Sequence, residues 1–164
     1  MINDSLAAEH STTELGVIER ELEKHGSYAS VTRGLSMRPL FKTSRDMVII
    51  KKPTSDFKKY DVVLYTGAGN KYTMHRIIGF KGDTLVIRGD NTYEKEYVPR
   101  ENVIGILTEF NRKGRHHTVD EFSFKLYSRI WNFIYPLRYV LHGFRRILGK
   151  IYRSLFKSRS KSGF

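Results

Sequence analysis

The chain has 164 residues, no cysteine, 40% hydrophobic and 13% aromatic residues, and a formal net charge of +12 at pH 7. That is about one domain's length with apolar material for one core, and it excludes disulfides and thiolate metal sites. So basic a chain calls for an anionic partner, a membrane surface or nucleic acid.

The stretch from Met1 to His25 has no apolar core and is rich in Glu, so it does not read as a signal peptide. Ser11 or Thr12 would cap a short helix from about Thr13 to His25. Leu15, Ile18 and Leu22 fall on one face of it at i, i+3 and i+7. Residues 1–27 are therefore expected to form a helical segment packed on the β-rich domain C-terminal to it.

Next comes Gly34-Leu35-Ser36-Met37-Arg38-Pro39-Leu40-Phe41. Gly34 frees φ just before the serine and Pro39 locks φ just after it, so Ser36 sits on a loop of restricted backbone. A hydroxyl held that way is a candidate nucleophile; the same pattern also serves as an ordinary turn. From Tyr28 to Phe110 the apolar period is two. Strands are predicted at Met47–Lys51, Tyr60–Tyr65, Lys71–Phe80, Thr84–Arg88 and Val103–Phe110, rich in Val, Ile and Tyr. Lys52-Pro53, Gly67-Ala68-Gly69-Asn70, Lys81-Gly82-Asp83 and Gly89-Asp90-Asn91 divide them. Short strands at this spacing predict a mainly β domain of barrel character over residues 28–115.

Two later stretches bear on the serine. They are Met74-His75-Arg76-Ile77-Ile78-Gly79 and Arg88-Gly89-Asp90-Asn91. A serine loop, then His-Arg opening an apolar run, then Gly-Asp-Asn after a strand resembles the signal peptidase I family. Pro99-Arg100-Glu101-Asn102-Val103-Ile104-Gly105 resembles that family's closing turn and strand. The His-Arg is nearest the archaeal and endoplasmic-reticulum branch; the bacterial branch has lysine at the position of His75. The resemblance covers residues 31–108. It implies a signal-peptidase-like β-barrel catalytic domain with the serine loop at the mouth of a substrate groove, and a serine endopeptidase acting on a peptide or preprotein without a cofactor.

The residue chemistry fits that implication. A serine hydroxyl needs a base to become a nucleophile. His75, with an ordinary pKa near 6.5, can be neutral at pH 7 where lysine would need strong desolvation. An isolated strand histidine is more often bonded to backbone; the flanking motif is what turns His75 into a candidate base. Asp90 either makes its own turn or orients His75 as a third catalytic member. The related branch tends to carry a second acid nearby. Here the neighbours are Glu94 and Glu96, which leaves open which acid touches the histidine. The Ser36 N–H is the oxyanion donor the resemblance implies. Met37 and Pro39 are candidate substrate-binding residues, Arg76 a partner for a carboxylate, and Lys71 a second basic group on the face of His75. Asp46 and Asp61 read as structural. His116 and His117 are adjacent, so their side chains diverge, and no ligand spacing surrounds them; no metal site is expected.

The tail from Glu121 holds ten Lys/Arg against one acid, a net +9, leaving +3 in residues 1–120. Leu137, Val140, Leu141, Phe144, Leu148, Ile151 and Leu155 form a helical stripe after Pro136, with Arg138, Arg145, Lys150, Arg153 and Lys157 largely opposite. Leu126, Ile130, Trp131, Phe133 and Ile134 add an apolar surface before it. The longest uncharged run, Ile130–Leu137, is too short to span a bilayer. A basic amphipathic tail over 121–164 predicts an anionic membrane surface as partner, against a helical hairpin packed on the barrel or, least favoured, nucleic acid. With no leader and no span, the expected location is cytoplasmic and peripheral at the membrane. The competing function classes are an inactive peptide-binding module of the same fold and a membrane-surface or nucleic-acid adaptor. A self-cleaving repressor would need a DNA-binding domain for which about 30 leading residues are too few.

Overall fold

The structure, a computed structural model, describes residues 16–143 except 68 and 70. The proposed cap at Ser11 or Thr12, Leu15 and the stripe from Phe144 onward lie outside the described residues. Residues 16–25 form helix α1. It stops at Gly26, whose φ of +71° suits glycine and whose N–H closes on the Leu22 carbonyl at 3.0 Å. Leu22 is 1% exposed and Ile18 packs beside it, so α1 is anchored by the face the sequence marked.

Eight strands come next: β1 (Ser27–Val31), β2 (Met47–Lys51), β3 (Val62–Thr66), β4 (Tyr72–Lys81), β5 (Thr84–Arg88), β6 (Glu96–Pro99), β7 (Val103–Arg112) and β8 (Arg115–Thr118). A 3-10 turn at Arg100–Asn102 links β6 to β7, and helices α2 (Phe122–Phe133) and α3 (residues 135–143) complete the described chain. The strands form one antiparallel sheet in the order β1-β2-β7-β3-β4-β5-β6, with β8 on β7. The sheet curls into half a barrel, and the fold is the mainly β one expected. The five predicted strands are β2, β3, β4, β5 and β7. Three more were not predicted. β1 is short, β6 ends on Pro99, and β8 reads Arg-His-His-Thr, a polar strand held by its partner β7. The sheet thus runs past residue 115 to Thr118.

Alternation sorts the strand side chains into two cores. Val62 and Leu64 join Leu22, Met37, Leu40, Phe41, Val48, Ile50, Leu107, Phe110 and Phe124 on one face of the sheet. Val63 and Tyr65 turn to the other face with Ile77, Leu85, Ile87 and Val98. Each such aliphatic side chain, fully buried, contributes about 1.5–3 kcal/mol. The first core holds the serine loop; the second lies under the histidine strand.

The chain divides into two compact units, one ending at Arg129 and the other beginning at Ile130. In the second, the Ile134 N–H bonds Ile130 and the Arg138 N–H bonds Ile134, so helical bonding continues past Pro136. Arg138 lies over the Trp131 ring at 3.7 Å. Ile130, Phe133, Leu137, Val140 and Leu141 are all exposed, Phe133 at 86%.

Candidate active site

The serine loop is closed at its base by Thr32 and Asp46. The Thr32 N–H and hydroxyl both donate to the Asp46 carbonyl, at 2.9 and 3.0 Å, and the Ser44 N–H donates to the Thr32 carbonyl at 2.9 Å. The Asp46 carboxylate is fully buried; it accepts the Lys42 N–H at 2.7 Å and pairs with Arg45. Asp46 is thus structural, as its sequence position implied. Met37, Leu40 and Phe41 sink into the first core and fix the loop's apolar side. Gly34 has φ +80°, and the Arg38–Pro39 bond is cis. Ser36 is left half-buried at the rim of a groove of about 330 Å³, whose lining includes Tyr28, Ser30, Val31, Met37 and Met74. Pro39 is exposed and does not line it.

His75 enters through strand register. Val63 lies opposite His75, and Tyr65 opposite Thr73, so Tyr65 is a diagonal neighbour of His75 on one face. Ile77 lies opposite Ile87, and Ile87 opposite Glu96, which brings Glu96 to that same face. The Glu96 carboxylate reaches His75 Nδ1 at 2.8 Å through Oε1 and accepts the Tyr65 hydroxyl at 2.7 Å through Oε2. Tyr65 Oη is 3.1 Å from the same Nδ1. Burial holds the His75 pKa below its usual 6.5, against the Glu96 carboxylate, which favours the charged ring. Burial and then Glu96 push the Tyr65 phenol above its ordinary value, so it stays a donor.

The other ring nitrogen, Nε2, is buried and makes no hydrogen bond among the described residues. It faces Gly89. A Cβ built on Gly89 would lie 3.0 Å from Nε2, 2.8 Å from the Ser36 carbonyl oxygen and 3.0 Å from the Thr92 hydroxyl. The Asn91 N–H donates to that Ser36 carbonyl at 2.6 Å, and the Asn91 side-chain amide to the Leu35 carbonyl at 3.2 Å. The Gly-Asp-Asn turn thus ties the serine loop beside the histidine. The Ser36 carbonyl and His75 Nε2, from residues 39 apart in sequence, both border the space where Gly89 has no side chain. They are not hydrogen-bonded to each other.

Asp90 is brought near but faces elsewhere. Its oxygens accept Arg76 Nε and Nη2, each at 2.8 Å, and the Tyr127 hydroxyl at 3.0 Å. Arg76 is fully buried, also donates to the Tyr60 carbonyl and Ser128 hydroxyl, and lies against the Phe124 and Tyr127 rings. The carboxylate on the histidine is therefore that of Glu96, while Asp90 pins the strand of His75 to α2. Glu94 and Lys71 are exposed. Tyr65 went unread in the sequence. Its signal was there, as a tyrosine alternating with Val63 on a strand whose other residues are Val, Leu and Thr, but it required the β3–β4 register.

No family profile matches the chain. The chain is 35% identical over 66 residues to signal peptidase I P of Bacillus subtilis subsp. natto, covering 38% of this chain and 36% of that protein. It is 32% identical over 63 residues to signal peptidase I V of Bacillus subtilis (strain 168), covering 37% of each. The chain therefore spans little more than a third of the length of these relatives. The similarity supports signal peptidase I as the related family without distinguishing a branch of it.

Proposed function

We propose that the chain is a serine endopeptidase that cleaves a leader or signal-like peptide from a preprotein, with Ser36 as nucleophile and His75 as general base. Ser36 Oγ attacks the scissile carbonyl carbon while its proton passes to His75 Nε2. The Ser36 N–H donates to the developing oxyanion. The leaving amine takes the proton from Nε2. Water, deprotonated in turn by Nε2, then hydrolyses the acyl ester. The observation that carries the reading is the buried, unbonded Nε2 converging with the Ser36 loop on Gly89. Catalytic hydrogen bonds are often loose without substrate and tighten in the Michaelis complex. A neutral imidazole at pH 7 is what its lowered pKa supplies. Histidine in this position aligns the chemistry with the archaeal and endoplasmic-reticulum type rather than a lysine base.

The substrate lies extended in the groove beside β1. Among the described residues that strand ends the sheet order, with its outer edge open to a peptide backbone. Met37 lines that groove and would contact the peptide. The basic tail holds the enzyme on an anionic bilayer. Phe122, Leu126, Ile130 and Phe133 are exposed along α2, and Leu137, Val140 and Leu141 along α3; Arg and Lys supply the complementary charge. Among the described residues no helix is long and apolar enough to cross a membrane.

The test is turnover of a preprotein by the full chain. Ser36→Ala and His75→Ala should each abolish cleavage while circular dichroism stays unchanged. Full turnover by Ser36→Ala would remove the proposal.

A further inference from the structure

Resting on the serine-peptidase reading, we infer that the rim beside Ser36 is a cationic subsite that receives a segment of substrate rich in Asp and Glu, next to the bond that is cut. Segments 33–46 and 112–115 hold seven Lys or Arg against Asp46 alone, a net +6. Residues 1–120 together carry +3, so the remainder of them is net −3 and the positive charge is concentrated here. Folding makes the concentration, because the two segments are far apart in sequence. The buried Asp46 carboxylate accepts the Lys42 N–H at 2.7 Å and the Lys113 N–H at 3.4 Å, and pairs with Arg45. The Thr32 N–H donates to the Asp46 carbonyl, which sets Arg33 close by. Arg112 Nη2 donates to the Pro39 carbonyl at 3.4 Å. Asp46 is thus engaged by Arg45 and by backbone. Arg33, Arg38, Lys42, Lys113 and Arg115 are exposed around it, and Arg112 is half-buried.

The tip of the β7–β8 hairpin is built against its own stability. Arg112 and Arg115 are direct cross-strand partners, and like charges directly opposite one another destabilise a sheet. Lys113 and Gly114 make the two-residue turn between them, with φ of +52° and +76°. Asn, Asp or Gly suits the first of those positions better than lysine does. Glu109, the acid of the same strand, is engaged by Lys51 at 2.8 Å. A hairpin that only had to turn gains nothing from Arg-Lys-Gly-Arg; one that meets an anion does. The place of the rim names the anion. Arg33 lines the groove together with Ser36, and Arg112 is bonded to the loop that carries Ser36. Whatever the rim holds therefore lies beside the scissile bond, where substrate must pass at every turnover. Guanidinium forks fixed on loop and hairpin backbone match carboxylates. Exposed Val31 and Leu35 lie in the same stretch of chain, which makes an anionic bilayer the competing occupant.

The experiment uses the full chain and two readouts. Binding needs no turnover: a rhodamine-labelled, glutamate-rich peptide and its glutamine twin are titrated with the Ser36→Ala protein by fluorescence anisotropy. The glutamate peptide should bind about tenfold more tightly at low salt, and the difference should vanish near molar salt, because exposed pairs are individually weak and screened. Cleavage is read on a randomised peptide library whose products are sequenced by mass spectrometry. Asp and Glu should be enriched beside the cut made by the wild type. The double variant Arg112→Glu, Arg115→Glu, at an exposed tip, should shift that enrichment to Lys and Arg. Lys58→Glu with Lys59→Glu makes the same change in net charge on residues that line a different cavity, and should keep the wild-type preference. Equal binding of the two peptides, or a hairpin variant that cuts with wild-type preference, overturns the inference. So does a hairpin variant that no longer sediments with phosphatidylserine vesicles while its peptide selectivity is unchanged, which assigns the rim to the bilayer. A wild type that cuts without acidic preference leaves the peptidase reading standing and this inference fallen. One that binds the glutamate peptide more tightly but cuts nothing leaves the acidic-peptide surface standing and removes the peptidase reading.

Discussion

Adding one methyl group at Gly89 should slow catalysis by up to about 10²-fold without unfolding the protein. Gly89 has no left-handed backbone, so Gly89→Ala acts through space alone. The new Cβ would lie 2.8 Å from the Ser36 carbonyl oxygen, a backbone atom that cannot swing aside, and 3.0 Å from His75 Nε2; ordinary contacts begin at 3.4 Å. Relief requires moving the serine loop away from the histidine by some tenths of an ångström. The loop is tied on its far side by Met37, Leu40 and Phe41. Overpacking of this kind costs about 1–3 kcal/mol, which a folded domain tolerates. Misplacement of reacting groups approaching 1 Å costs about 10²-fold in rate. The assay is kcat/KM for preprotein cleavage with the melting temperature measured in parallel, and two glycines serve as controls. Gly79→Ala has nothing within 4 Å and should be nearly neutral in both readouts. Gly105→Ala drives a Cβ into Ile50 and the Lys51 carbonyl and should lower stability while the folded fraction cleaves normally. Wild-type kcat/KM in Gly89→Ala would refute the claim that Ser36 and His75 work across this residue.

Other outcomes rest on the same contacts. Because burial lowers the His75 pKa, kcat/KM should rise with pH through a limb below 6.5 and be flat above it; a limb that His75 substitution leaves in place would assign the base elsewhere. Asp90→Ala strands the fully buried Arg76 and should cost about 3–5 kcal/mol in chemical denaturation; a loss of kcat at undiminished stability would instead make Asp90 a catalytic member. The full chain should sediment with anionic vesicles and not with neutral ones, since each Lys or Arg near the surface contributes about 1 kcal/mol. Replacing exposed Phe133, Leu137 and Leu141 with glutamate should release it, and equal recovery of both proteins would refute membrane binding. Substitution is the better test than truncation at Asp120, because Phe124, Tyr127 and Ser128 of α2 pack on Arg76 and Asp90.

Local pattern alone determined much of this protein. Period-two alternation with turn residues between runs marked five strands, because each strand's buried face is written in its own residues. The constraint on Ser36 was legible too, since Gly34 and Pro39 act on neighbouring backbone. What stayed hidden depends on register between distant segments. β8 is too polar to declare itself and exists because β7 supplies its hydrogen bonds. Asp90 and Glu96 are both acids near a turn, and nothing local separates them. The pairing of Ile77 with Ile87 and of Ile87 with Glu96 carries Glu96 to the face of His75. Asp90, at the end of that strand, is drawn to Arg76, which alternation turns towards α2. A residue's face is set by its own strand, but its partner is set by how strands align, and only the folded sheet decides that.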